Sequence, residues 1–232
     1  MKLQPHQPRP GYLAGPIVIA DGSGRHDLRV QTWNSSTVQP DDRFRVVEHE
    51  SQFVLLVEKK NIFDRLIAEQ FHLKHRCLLA TGHGYPRRHF WAQLRTLHDQ
   101  LRLPLYVLAD NDPPGYLLFF VIARGTARRH SRVNEKLAIP EARYLGVRAD
   151  DFERLGLPES ANIDLGKSDY DQLAEFRRCD WLSSNTAWQH EINQMSRHGF
   201  KVELEAVYTF AKGYLANTYL PERLAAKQYL RL

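Results

Sequence analysis

At 232 residues, 43% of them hydrophobic, the chain is long enough to bury the core of one large domain or two small ones. No apolar run approaches the roughly 20 residues needed to span a bilayer, and Cys77 and Cys179, the only two cysteines, form no CxxC pair, which argues against a structural zinc site or a disulfide framework. The formal charge of +5 fits a polyanionic partner without requiring one.

The opening MKLQPHQPRP has neither periodicity nor the apolar core of a signal peptide. Residues 1–10 are therefore expected to be a flexible arm or linker, and the default compartment is cytoplasmic. GPIVIADGSG predicts a short strand ending in an Asp-Gly turn, with HDLRVQTW as its partner, making an N-terminal hairpin. In FVLLVEKKNIFDRLIAEQF the consecutive apolar residues suit a strand buried on both faces, and Phe63, Leu66, Ile67 and Phe71 follow at helical spacing. RCLLATGHGYP repeats that plan through a glycine-rich turn, with Phe90, Leu94, Leu97 and Leu101 marking the next helix. LPLYVLAD predicts a third strand, GYLLFFVIA a helix apolar all round and so sandwiched inside the protein, and ARYLGV a fourth strand. Strands and helices alternating at this spacing predict an α/β fold, a mainly parallel, Rossmann-like sheet with helices on both faces. Beyond Asp150 the strand signal fades. Residues 170–177, 187–198, 202–212 and 221–230 are expected to be C-terminal helices completing the same domain, residues 11–232.

In an open parallel sheet the carboxyl ends of the strands line the crevice where ligands bind. Glu58 directly follows FVLLV, Asp110 directly follows LYVLA, and Asp112 comes two residues later, so the three acids are expected to converge. Clustered carboxylates raise one another's pKa unless a cation neutralises them; a hard ion with oxygen ligands, Mg²⁺ or Mn²⁺, does so. Each acid also has an ordinary reading: an Asp after a strand is often a helix N-cap, and Glu58, beside Lys59 and Lys60, a solvated charge. Asp164, Asp169 and Asp171 read as turn and cap residues, and Trp181 and Trp188 as packing. His190 with Glu191 lacks the second histidine of HExxH. Both cysteines read as reduced and structural.

The order of these features is more specific than any of them singly. An acid after the first buried strand, a glycine-rich turn after the second and a DxD after the third is the layout of the Toprim fold of topoisomerases, bacterial primases and some nucleases. VEKKNIFDRL, TGHGYP with Arg87 and Arg88, LPLYVLADNDPPG, RGTA and KVELEA, in this order, resemble the Toprim domain found in the A subunit of topoisomerase VI and in its relative, the meiotic double-strand-break protein. The opening GYLAGPIVIADG is similar to that domain's first strand, so the match runs from Gly11 to about Tyr208. The resemblance implies that Glu58, Asp110 and Asp112 are the catalytic, Mg²⁺-binding acids and that Gly115 is the glycine of DPxG. It departs at Pro114, where the family usually carries an aromatic residue.

The family's nucleophile is a tyrosine in a winged-helix domain ahead of the Toprim domain. Nothing in this sequence matches that domain, so the tyrosine is expected from another domain or chain. The resemblance further implies three partners: double-stranded DNA, a B-type ATPase subunit, which drives strand passage, and a second copy of the chain as a homodimer. It also implies nucleoid association if the source is prokaryotic. Candidate DNA contacts are Arg87, Arg88 and His89 after the GYP turn and Arg124, Arg128, Arg129 and Arg132 after the buried helix, with solvated loop charge as the alternative. No GxxxxGK[ST] loop is present to support nucleotide hydrolysis by this chain. The expected role is a Mg²⁺-dependent DNA-binding Toprim subunit of a type IIB topoisomerase-like cleavage and strand-passage system. Its rivals are a stand-alone metal-dependent nuclease and a non-catalytic DNA-binding or regulatory module.

Overall fold

A computed structural model of the protein describes residues 10–35, 44–85, 87–126 and 135–232. The chain enters through β1 (Tyr12–Ala14), bends at Gly15 and Pro16, and continues as β2 (Ile17–Asp21), which turns at Gly22 and Ser23 into β3 (Gly24–Asp27). The expected hairpin is present, but its second strand starts before HDLRVQTW and stops inside it. The cause is local: Asp21 Oδ1 accepts hydrogen bonds from the Ser23 amide (2.8 Å) and hydroxyl (2.6 Å), which closes the turn early. β4 (Trp33–Asn34) leaves the hairpin to pair with β1, and β5 (Arg45–His49), which sequence patterning missed, pairs with the other side of β2.

The expected alternation follows: β6 (Phe53–Val57), α1 (Lys60–Ala68), α2 (Phe71–Lys74), β7 (Cys77–Thr81), α3 (Arg88–Leu101), β8 (Leu105–Leu108), α4 (Pro113–Arg124) and β9 (Arg143–Gly146). The helix expected through Phe71 is split in two because Gln70 adopts a left-handed backbone, φ 58°. The remaining chain forms α5 (Asp151–Leu155), β10 (Ile163–Asp164), α6 (Lys167–Arg177), α7 (Asp180–Ser183), α8 (Thr186–His198), β11 (Phe200–Lys201), α9 (Leu204–Phe210), a π-helical turn (Leu215–Tyr219) and α10 (Leu220–Ala225). The helix expected to start at Val202 starts at Leu204, because the Val202 backbone bridges to Asn111. The one expected to reach Leu230 ends at Ala225, and Leu230 instead bridges to Tyr144 beside β9.

The main sheet has the order β4-β1-β7-β6-β8-β9, in which β7, β6, β8 and β9 are parallel and β1 lies antiparallel to both β7 and β4. β3, β2 and β5 form a second, antiparallel sheet, and β10 pairs with β11.

Strand alternation sends β6 side chains to opposite faces. Val54 and Leu56 join the core with Phe90, Trp91 and Leu94 of α3, Phe119 and Phe120 of α4, and Trp188 of α8. Leu55 and Val57 join the core with Phe63 and Leu66 of α1, Leu204 and Val207 of α9, and Leu220 of α10. Helices thus cover both faces, and nearly every α4 side chain is buried, as its uniform apolarity predicts. Cys77 and Cys179 lie buried in the two different cores. No helix among the described residues is long and apolar enough to cross a membrane.

Candidate functional site

Because β6 and β8 are neighbouring parallel strands, their carboxyl ends emerge side by side. The Glu58 amide donates to the Leu108 carbonyl (2.9 Å), and its own carbonyl accepts from the Gly84 amide (2.8 Å) and Thr81 Oγ1 (3.3 Å). Glu58 is therefore pinned between β8 and the glycine-rich loop after β7. Its Oε2 accepts from the Asp110 amide (3.0 Å), which ties the first acid to the second. Asp110, 5% exposed, accepts at Oδ1 from the Leu204 amide (2.8 Å) and at Oδ2 from Lys59 Nζ (2.9 Å). Asp112 is the N-cap of α4: Oδ1 accepts from the Gly115 amide (2.7 Å), and Pro113 and Pro114 occupy the first helical turn, where no amide hydrogen is needed.

The N-cap reading of DND is thus realised at Asp112, while Glu58 and Asp110 meet through a side-chain to backbone hydrogen bond. Gly115 has a steric cause, since a Cβ there would stand 2.4 Å from the Asp110 carbonyl oxygen. Pro114, the departure from the family pattern, faces solvent.

The electrostatics follow from this packing. Burial first, and then the charges of Asp110 and Asp112, push the Glu58 carboxyl up to about 8. Burial likewise pushes Asp110 up to about 6, although the Leu204 amide and Lys59 pull it back. Asp112 is raised by burial, and by the charge of Asp169 against the pull of the Gly115 amide and Lys201. The charges of both aspartates thus add to the shift of Glu58, and that of Asp112 to the shift of Asp110.

A hard divalent cation is the group the resemblance implies. The donor chemistry fits: Glu58, Asp110 and Asp112 offer hard carboxylate oxygens at or just past neighbouring strand ends. Among the described residues, however, no three His, Cys, Asp or Glu side chains already surround a single point as a metal cage. The position against Asp110 is taken by the Lys59 ammonium.

Several participants were not singled out in sequence. Lys59 Nζ also reaches Glu205 Oε2 (2.6 Å) and Glu203 Oε1 (3.5 Å), and Asn61 Nδ2 donates to Glu205 Oε1 (2.8 Å). Lys201 pairs with Asp169 Oδ2 (2.9 Å), and Asp169 also accepts from the Gly166 amide at the start of α6, so it is a cap as expected. Asn111, between the two aspartates, exchanges backbone hydrogen bonds with Val202 (2.9 and 3.2 Å). Its side-chain amide donates to the Tyr116 hydroxyl (2.7 Å), which donates to the buried carboxylate of Glu191 (3.1 Å). Glu191 is thus an internal acceptor while His190 is exposed, which disposes of the zinc-protease likeness. The available signal was EK after the first strand and the run KVELEA: both motifs supply the ions that face the DxD.

Arg87 and Arg88 are exposed at the start of α3, just past the loop tied to Glu58, and His89 hydrogen-bonds Gln93 (2.9 Å). Arg124 does not join them. It sits at the far end of α4, about 18 Å of helix from the acids, with its guanidinium 4.9 Å from the Trp181 ring centroid. Arg128, Arg129 and Arg132 lie outside the described residues. Asp164 pairs with Phe200 in the β10–β11 ladder and Asp171 is exposed on α6, so neither reaches the site.

Comparison with known proteins bears on this geometry. Residues 53–224 match the family model for the Toprim domain shared by Spo11 and the A subunit of topoisomerase 6. The chain is 29% identical over 230 residues to the A subunit of type 2 DNA topoisomerase 6 from Aeropyrum pernix, covering 95% of this chain and 59% of that protein. The same-named protein of Saccharolobus shibatae is 30% identical over 230 residues, with the same coverage of 95% and 59%. Meiotic recombination protein SPO11-1 of Oryza sativa subsp. indica is 32% identical over 182 residues, 78% of this chain and 47% of that one. The chain thus spans about half the length of the curated relatives it matches. With the acids at the ends of β6 and β8, the glycine-rich turn after β7 and the matched residues in register, the chain belongs to the Toprim-domain family of Spo11 and the A subunit of topoisomerase 6.

Proposed function

We propose that the chain is the metal-binding Toprim part of a type IIB topoisomerase-like system that breaks both strands of DNA and passes a duplex through the break. The tyrosine nucleophile comes from a winged-helix segment not present in this sequence, on another domain or chain. The observation that carries this reading is the placement of Glu58 and Asp110 at adjoining strand ends, joined by a hydrogen bond from the Asp110 amide to Glu58 Oε2, with Asp112 two residues on, in a chain that matches the family over residues 53–224.

Glu58, Asp110 and Asp112 would hold Mg²⁺ or Mn²⁺, and a bound divalent cation adds stabilisation of the negative charge that develops on the phosphoryl and departing 3′ oxygens. The chain's own part is orientation. Each carboxylate keeps one oxygen on a backbone amide, so its rotamer is set before any ligand arrives. Arg87 and Arg88 hold backbone phosphates next to the loop that pins Glu58, giving salt-dependent, largely sequence-independent affinity. As in the family's layout, two copies would face the duplex, with a B-type ATPase subunit driving strand passage.

The test uses the purified chain with supercoiled DNA and Mg²⁺, alone and with a tyrosine-bearing winged-helix domain from a relative. Protein-linked double-strand breaks that require both components and vanish in Asp110→Asn are the expected result. Protease-insensitive nicks made by the chain alone and lost in Glu58→Ala would replace this reading with a nuclease. DNA binding without cleavage or divalent-ion binding under any condition would leave a binding module.

A further inference from the structure

The Lys59 ammonium touches three acidic side chains from two parts of the chain. Asp110 Oδ2 lies 2.9 Å away, Glu205 Oε2 2.6 Å and Glu203 Oε1 3.5 Å. It is 23% exposed at the side chain, so these contacts are only partly screened by water. Glu205 is itself fixed by Asn61, the second residue after Lys59, so α1 and α9 hold both ends of this bridge.

Asp110 thus has two competing claims on it: a lysine already in contact, and the divalent cation of the reading above, on which this inference rests. Two cations on one carboxylate repel each other, so each weakens the other's hold. A lysine whose only partner was Asp110 would simply oppose metal. This one has Glu205 and Glu203 beside it, as a second resting place on the same side-chain stem.

We propose that Lys59 is a resident counterion that occupies Asp110 in the metal-free chain and shifts its weight to Glu205 and Glu203 when a divalent cation takes Asp110. Lys59 is then a positioning residue that sets metal affinity, and Glu205 is its acceptor. The arrangement holds the Asp110 carboxylate in place without metal, and links metal binding to the α9 contact.

The probe is Mn²⁺ alone, titrated into the full chain and followed by the electron paramagnetic resonance signal of the free ion. Lys59→Met is expected to bind Mn²⁺ about tenfold more tightly at low salt, because a competing charge is removed. Glu205→Gln is expected to bind several-fold more weakly, and that loss should shrink when both changes are combined, as a coupled pair requires. Unchanged or weaker binding by Lys59→Met overturns the proposal. Should that variant not fold, Glu205→Gln decides it: weaker binding supports it, and equal or tighter binding overturns it. If the unaltered chain binds Mn²⁺ and Asp110→Asn abolishes binding, yet the expected changes are missing, only the role of Lys59 fails. If no variant binds Mn²⁺, both this inference and the metal reading fall.

Discussion

Two sets of carboxylates in this molecule, Asp151 and the acids after β6 and β8, are treated in opposite ways. Asp151, at the start of α5, is 0% exposed and accepts hydrogen bonds from the Tyr219 hydroxyl (2.6 Å), the Arg148 amide (2.9 Å), Arg154 Nη2 (2.7 Å) and Arg223. Burial alone would raise its pKa, but Arg223, Tyr219, the Arg148 amide and Arg154 outweigh burial and hold the carboxyl below its ordinary value. Asp110 is buried and Glu58 and Asp112 are half-buried; each has a backbone amide, and Asp110 also has Lys59, yet burial outweighs these partners and all three are raised. One region gathers four donors on Asp151 and fastens α10 to α5. In the other, burial outweighs the nearby donors and raises each carboxyl, which costs stability whenever the acids are ionised.

The largest effect should come from breaking the satisfied region. Asp151→Ala removes the partner of Arg223, a guanidinium 2% exposed, and should lower unfolding free energy in urea by about 3–5 kcal/mol. An effect below about 1 kcal/mol would mean that the two regions are not different in kind.

The opposite sign is expected at the acids. Glu58→Gln should stabilise the metal-free chain by roughly 1–2 kcal/mol at pH 8, allowing for partial solvent screening. The pH dependence follows from the same shift. Glu58 titrates near 8 when folded and at its ordinary 4.5 when unfolded, so between those values the folded state binds more protons and stability falls as pH rises. Asp110 adds to the fall between 3.8 and about 6. Asp151 behaves in reverse, adding stability above its ordinary 3.8 that is lost as pH falls through its depressed folded value. Melting temperatures between pH 5 and pH 8 should therefore decline for the unaltered chain and decline less for Glu58→Gln. A flat profile in both would remove the claimed contrast.

Cations of the two regions should differ as well. Replacing Arg87 and Arg88 together by Ala should weaken DNA binding and reduce the slope of log affinity against log salt by up to about 2. Arg154→Ala, which alters the Asp151 set, should leave that slope unchanged in the same fluorescence-anisotropy titration. The smallest effect belongs to Asp112→Asn. Asparagine caps a helix as well as aspartate, so stability should change by less than about 0.5 kcal/mol while Mn²⁺ binding is lost. A large loss of stability would show that the carboxylate charge itself holds α4.

Glu58, Asp110 and Asp112 were legible as a group because position relative to a strand end is a one-dimensional property: five apolar residues, then an acid. The buried character of α4 was legible for a similar reason, since a helix apolar all round has no face to give to water. Lys59 was not. Beside Glu58 it looks like ordinary surface charge, and its partners Glu203 and Glu205 lie more than 140 residues away, brought close by the Asn111–Val202 bridge, the Leu204 amide and the packing of α9 on α1. β5 was missed because its side chains are exposed or half-buried, leaving weak alternation.

The amino-acid order by itself determined the alternating α/β plan, the family and the placement of acids at the strand ends, because each rests on local periodicity or on residues a few positions apart. Only the tertiary structure decided which charges those acids meet. Hydrogen bonds and ion pairs act over a few ångströms, and the contacts that join Lys59 to α9 and Asn111 to Val202 beyond β11 depend on chain segments whose meeting no short stretch of sequence encodes.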